Sequence, residues 1–277
     1  MNITKQIINH HLEKGYTPDA KGYLNTNEDN LLQKFPNWDK IKKELSDGDG
    51  NELKPDSNNR VKFQAVHSSS ALCVNNFALI KQHKNNVTLF GMSGFSVAEF
   101  EKKLPTFLRK PVNLDFYLEN NNFRIGIESK FIELANPSFD KKDKSLKKYL
   151  NHKKIPEKLQ KSFNEVIEYY ISYKEKMHLD VAQLIKHSIA LSLSAAENKG
   201  KMTKLIYLYW VPTNYKDINI YQKHEEELEA FKEKIKDCQM PFESYTYIDL
   251  WQMMGKNPNL SGILEKIKKR YEFSIKI

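Results

Sequence analysis

Residues 113–131 read Asn113-Leu114-Asp115-Phe116-Tyr117-Leu118-Glu119-Asn120-Asn121-Asn122-Phe123-Arg124-Ile125-Gly126-Ile127-Glu128-Ser129-Lys130-Phe131. Two alternating runs flank a turn of three asparagines, which is the pattern of a β-hairpin. Leu114, Phe116 and Leu118 share one face of the first run. Phe123, Ile125 and Ile127 share a face of the second, with Arg124, Gly126, Glu128 and Lys130 opposite, because successive strand side chains project to opposite sides. Glu128 and Lys130 are therefore neighbours, and the hairpin brings Asp115 alongside them. Two carboxylates that close repel, and a divalent cation between them offsets the repulsion. Such a cation can activate water and stabilise charge building on a phosphate. An adjacent lysine can orient that water or support the phosphoryl transition state. In a chain with 29% charged residues the pattern also arises by chance. The plain alternative is the polar, solvent-facing side of an edge hairpin.

Working outward, His67-Ser68-Ser69-Ser70 precedes an apolar run from Ala71 to Ile80, which reads as a serine-capped, largely buried helix. Ser68 and Ser69 are expected to cap and pack, whereas Asn75, polar within the apolar run, could face the site. Val87 to Met92 reads as a short strand, and Ser96 to Leu104 as a helix capped by Ser96. Ile3 to Leu12 and Trp38 to Leu45 read as amphipathic helices, with the pair His10-His11 at the surface. The segment Ser46-Asp47-Gly48-Asp49-Gly50-Asn51-Glu52 is turn material. It is not a calcium loop, because Glu52 stands where that loop needs glycine.

Downstream, Glu157 to Lys176 and His178 to Asn198 read as helices, and Tyr169, Tyr170 and Tyr173 fall at helical spacing as core. Lys204 to Val211 is a central strand stopped by Pro212, followed by a helix (Tyr221 to Lys236), a strand (Tyr245 to Leu250) and a helix (Ser261 to Tyr271). The expected organisation is a helical N-terminal region (1–60), a core (61–215) and a C-terminal α-β-α extension (216–277) packed on it as one unit. On the otherwise apolar second helix, Asp180, Gln183 and His187 recur at i, i+3 and i+7 as a polar stripe.

A capped helix, a hairpin bearing Asp and Glu-x-Lys, a helix and a hydrophobic strand, in that order, resemble the PD-(D/E)XK nuclease superfamily. Pro111-Val112-Asn113-Leu114-Asp115 matches its "PD" element, Glu128-Ser129-Lys130 its (D/E)XK element, and Gln183-Leu184-Ile185-Lys186-His187 its glutamine-centred helix motif. Three further segments are similar to those of a bacterial restriction-endonuclease-like family: Gly48 to Leu53, His67 to Asn75, and Phe100-Glu101-Lys102-Lys103-Leu104-Pro105. The resemblance spans about residues 47–212. It implies an α/β, restriction-endonuclease-like αβββαβ core with a mixed central sheet. It also implies a Mg²⁺-dependent endonuclease hydrolysing DNA phosphodiester bonds, with Mn²⁺ as a substitute. Asp115, Glu128 and the backbone carbonyl of Ser129 would hold the metal. Lys130 would position or help deprotonate the attacking water, and Gln183 would support the site. Glu52 is the candidate for an additional acid, although it precedes the helix that usually supplies one. A non-catalytic nucleic-acid-binding module on the same fold and a DNA-repair nuclease are the alternatives, and a homodimer is left open.

The charge pattern bears on the partner. The 277 residues carry +9 overall, and basic balance suggests a polyanion. Nearly all the cations are lysine, which biased coding alone can produce. Between residues 141 and 162, however, nine lysines face only Asp143 and Glu157, so +7 of the +9 lies in one segment. Lys141, Lys142, Lys144, Lys147, Lys148, Lys153 and Lys154 are therefore candidate DNA-backbone contacts, joined by Lys186, His187 and Asn75. Two cysteines cannot staple a chain this long, so a reducing compartment is expected. The first ten residues lack the apolar h-region of a secretory signal. The longest apolar stretches, around Ile189 to Ala196 and Ile206 to Val211, are too short to span a membrane. A cytoplasmic protein is expected.

Overall fold

The expected hairpin forms the middle of a five-stranded mixed sheet. In this computed structural model, residues 2–48, 50–108, 110–135, 146–153, 155, 157–173, 175–197 and 200–276 are described. A small hairpin, β1 (Thr88–Leu89) and β2 (Met92–Ser93), precedes the sheet. The sheet comprises β3 (Val97–Leu104), β4 (Val112–Glu119), β5 (Phe123–Lys130), β6 (Met202–Tyr209) and β7 (Phe242–Thr246), in that spatial order. The first three strands are antiparallel, and β5–β6 and β6–β7 are parallel.

Eight α-helices surround the sheet among the described residues: α1 (Ile3–Glu13), α2 (Trp38–Asp47), α3 (Ser69–Gln82), α4 (Glu157–Ser172), α5 (Val181–Glu197), α6 (Asn219–Ile235), α7 (Tyr247–Gly255) and α8 (Ser261–Tyr271). The order α3-β3-β4-β5-α5-β6 is the expected αβββαβ core, with α4 inserted before α5.

Both faces of the sheet are covered, which explains why β6 is nearly continuous in apolar residues rather than alternating. Helices α3 and α7 lie on the face of Ser129: Phe77 stacks on Phe116 with centroids 4.5 Å apart, and the Tyr247 and Ser129 hydroxyls share a hydrogen bond of 2.6 Å. Helices α5 and α6 cover the opposite face. There Tyr207 shares a 3.0 Å hydrogen bond with His224, and a Cβ on Gly126 would stand 2.8 Å from Leu114 Cδ1 and 3.0 Å from Leu191 Cδ1. Ile125, Ile127, Leu205, Ile206 and Leu208 are fully enclosed. Each such side chain contributes on the order of 1.5–3 kcal/mol of transfer free energy.

The last helix is tied to the centre. Tyr271 meets Asn75 of α3 through its hydroxyl (2.9 Å), and its carbonyl accepts the Trp210 indole N–H (2.7 Å). Arg270 is buried. Its Nε donates to His11 Nε2 at 3.1 Å, its guanidinium bonds both oxygens of Asn30, and it lies over the Tyr16 ring at 4.4 Å. His11 is therefore interior, not at the surface as the sequence suggested, and its other ring nitrogen pairs with the Ile7 carbonyl at 2.8 Å.

Three elements differ from expectation. Residues Val97–Leu104 form an edge strand, not a helix: Ala, Glu and Lys give this run helical propensity, but pairing with β4 overrides it. Ser96, instead of capping, donates its backbone N–H to the Glu119 carbonyl at 2.8 Å. The last strand ends at Thr246, where a capping box with Asp249 starts α7, so Tyr247 to Leu250 are helical. The first long helix after the lysine-rich segment stops at Ser172 rather than Lys176.

Candidate active site

The β4–β5 ladder ends at Phe116↔Ile127, and the strands part there. Asp115 fills the opening: its Oδ2 accepts the backbone N–H of Ser129 at 2.6 Å, while its carbonyl is 3.9 Å from the Cys73 sulfur on α3. Glu128 points from the other side of β5 towards α5 and is completely buried. The Lys130 ammonium donates to Glu128 Oε1 and, at 2.9 Å, to Gln183 Oε1 on α5. Asp115, Glu128, Lys130 and Gln183 thus come together, and the solvent-facing edge alternative fails at Glu128.

Two further acids act here that the sequence reading did not single out. Glu133 accepts the Phe131 N–H at 2.7 Å, and its charge reaches Asp115 and Lys130. Glu101, on the edge strand at φ 49°, accepts from Asn113 at 3.4 Å, and its charge reaches Glu128. Glu133 had a usable signal in lying five residues after Glu128. Glu101 was hidden by the helical reading of its strand.

Electrostatics follow from this crowding. Burial, and then the Glu128 charge, hold the Asp115 carboxyl well above the ordinary carboxylate range. Burial raises Glu128 to about 7, with Asp180 and Glu101 adding to the effect and Lys130 opposing it. Burial would lower the Lys130 ammonium, but Glu128, Asp115 and Glu133 outweigh it and hold it well above the usual lysine value. His187 is lowered to about 3 by burial, then by Lys130 and Lys186, so its imidazole is neutral.

The site opens on a cleft of about 820 Å³. Asn113, Asp180, Gln183 and His187 line it towards the carboxylates, and Lys110, Lys148 and Lys186 supply positive charge. The N-terminus of α5 is fixed by Asp180, which accepts the Gln183 N–H at 3.0 Å. Part of the lysine-rich segment is folded onto this rim: Leu146, Tyr149 and Ile155 are buried, and Phe107 stacks on His152 at 3.7 Å. Lys147 and Lys153 are exposed on it, and Lys141, Lys142, Lys144 and Lys154 lie outside the described residues.

The remaining candidates are engaged within the protein. Asn75 does not face the cleft. It is buried, its Oδ1 accepts the Leu32 N–H at 2.8 Å, and its Nδ2 donates to the Asn30 carbonyl and the Tyr271 hydroxyl, both at 2.9 Å. An amide so occupied cannot reach nucleic acid. Glu52 is held at the start of α3 by the Ser70 hydroxyl (2.6 Å) and by Lys62 (3.6 Å). His187, expected near a DNA backbone, is turned inward, with Nδ1 3.3 Å from Glu128 Oε2.

Glu128 Oε2 is a buried carboxylate oxygen with no hydrogen-bond partner among the described residues. Together with the raised Asp115–Glu128 pair, that atom suits a divalent cation. No group of three or more His, Cys, Asp or Glu side chains is preassembled around a metal position among the described residues.

A family model described as Restriction Endonuclease associating with ARP (REase-ARP) matches residues 6–272. The chain belongs to this family. The REase-ARP match runs through α1 and α8 as well as the αβββαβ core, and it agrees with the restriction-endonuclease-like fold and a nuclease-like role. No match is found among curated proteins or among solved structures. No helix of this REase-ARP chain, among the described residues, is long and apolar enough to cross a membrane.

Proposed function

We propose that the chain is a Mg²⁺-dependent endonuclease that hydrolyses DNA phosphodiester bonds. The observation that carries this reading is the Asp115–Glu128–Lys130–Gln183 arrangement, joined through Gln183 to a cleft that Lys110, Lys148 and Lys186 also line. The family's description as a restriction endonuclease supports it.

Asp115 and Glu128 would hold the cation, with the Ser129 backbone carbonyl as a further donor. When bound, Mg²⁺ supplies Lewis acidity for water activation and for charge on the phosphate. Lys130 has an ammonium fixed at two points, by Glu128 and Gln183, so it meets a phosphate oxygen or the attacking water without reorganisation. Gln183 holds Lys130 from the helix side and itself lines the cleft. Lys110, Lys148 and Lys186 attract the phosphate backbone without reading sequence. The exposed Lys147 and Lys153 extend that field.

The direct test is incubation of purified protein with supercoiled plasmid and Mg²⁺. Nicking or linearisation is expected with the native chain and a loss of about 10²-fold or more in Lys130→Met. Equal cleavage by both proteins would remove Lys130 from the chemistry.

A further inference from the structure

Glu128 Oε2 and His187 Nδ1 face each other across 3.3 Å inside the protein, with side chains 1% and 3% exposed. Neither atom makes a hydrogen bond among the described residues. The separation is longer than the usual N–H···O bond of about 2.9–3.0 Å. Burying two polar atoms without partners costs on the order of 1–3 kcal/mol each, so a pair left facing one another calls for something between them.

The spacing fits a shared cation. Two donors each roughly 2.1 Å from one ion, subtending an angle of roughly 100°, stand about 3.2 Å apart. The other oxygen of Glu128 is engaged by Lys130, so Oε2 is the atom of this carboxylate left for an ion. His187 is also carried on α5 one turn beyond Gln183, where the helix packs against the strand, and its ring lines the cleft through which an ion would enter.

We propose that His187 Nδ1 is a nitrogen ligand to the cation held on Glu128 Oε2, giving the centre a mixed nitrogen–oxygen donor set that favours first-row transition ions such as Co²⁺ over Mg²⁺. Imidazole suits those ions, whereas Mg²⁺ prefers oxygen and water. This inference rests on the metal-dependent nuclease reading and goes beyond it in naming a ligand and a cation class.

The test is metal binding by the full chain without DNA. Co²⁺ is titrated by its visible absorption and by calorimetry, and Mg²⁺ by calorimetry. The native chain is expected to bind Co²⁺ at least about tenfold more tightly than Mg²⁺, with a difference of about 1.4 kcal/mol per tenfold. His187→Gln, which replaces the nitrogen donor by an amide, should weaken Co²⁺ by about tenfold and change its spectrum, and should weaken Mg²⁺ by less. His187→Leu, of similar bulk, should do the same, and the circular dichroism of both variants reports folding. Pulsed electron paramagnetic resonance of bound Mn²⁺ should show nitrogen coupling in the native chain and none in His187→Leu. Unchanged Co²⁺ affinity and spectrum in folded variants would overturn the assignment, leaving a proton shared between ring and carboxylate. Histidine-dependent Co²⁺ binding without any DNA cleavage would support this inference while removing the nuclease reading. Cleavage in Mg²⁺ with no histidine-dependent binding would do the reverse.

Discussion

Asp115 accepts the backbone N–H of Ser129 with its side chain, at the point where the β4–β5 ladder has ended. A carboxylate therefore replaces the carbonyl that would continue the ladder, and the same group that opens the hairpin presents negative charge to Glu128. Asp115→Asn keeps an oxygen acceptor for Ser129 and removes the repulsion with Glu128. The metal-free variant is expected to melt at or above the temperature of the native chain, while the stabilisation that the native chain gains from Mg²⁺ disappears, together with cleavage. Paired melting curves with and without Mg²⁺ check this, and a native-sized Mg²⁺ shift in the variant would contradict it.

The pH dependence has a defined sign. Glu128 is raised to about 7 from an ordinary 4.5, so the folded protein retains a proton that the unfolded chain releases. Its contribution to metal-free stability is full below about pH 4.5 and is lost as pH rises towards 7. Metal binding runs the other way, because Glu128 and Asp115 must be deprotonated to bind: affinity should rise with pH by at least about tenfold per unit below pH 7. His187, lowered to about 3, adds no inflection between pH 5 and 9. Denaturant titrations and calorimetry across that range measure the two trends.

Replacing Lys110, Lys148 and Lys186 together by alanine should weaken DNA binding alike for all sequences. Each lost phosphate contact lowers the slope of log affinity against log salt by about 1. Fluorescence anisotropy at several salt concentrations reads the slope. A slope that survives the triple change would place the phosphates away from this cleft.

Gly126 is required by space. A methyl there would press on Leu114 and Leu191 at 2.8 and 3.0 Å. Gly126→Ala should cost about 1–3 kcal/mol of unfolding free energy. Leu114→Val in the same chain should recover part of it, a coupling measurable by a double-mutant cycle in urea.

Much of this arrangement was legible in the residues themselves. The alternation across the Asn120–Asn122 turn gave the hairpin, and the i+2 rule placed Lys130 beside Glu128, because both depend only on local backbone geometry. The polar stripe on α5 likewise gave Gln183 its place. What escaped were features decided by distant partners. Val97–Leu104 has helical propensity and becomes a strand because β4 offers it a ladder. Asn75 reads as a polar residue awaiting a ligand, and its partners, Asn30 and Tyr271, lie 45 and 196 residues away. Glu101 and Glu133 enter the site's electrostatics only after the chain has folded around them.

The links from Tyr247 to Ser129 and from Tyr271 to Asn75 also govern timing. Synthesis proceeds at about 5–20 residues per second, and domains fold as units as they emerge. Asp115, Glu128 and Lys130 leave the ribosome well before the two tyrosines that brace the strand and helix behind them. A nascent chain thus holds these three side chains without the frame that sets them. The geometry of the site is therefore complete only once the chain through Tyr271 has emerged and packed against α3.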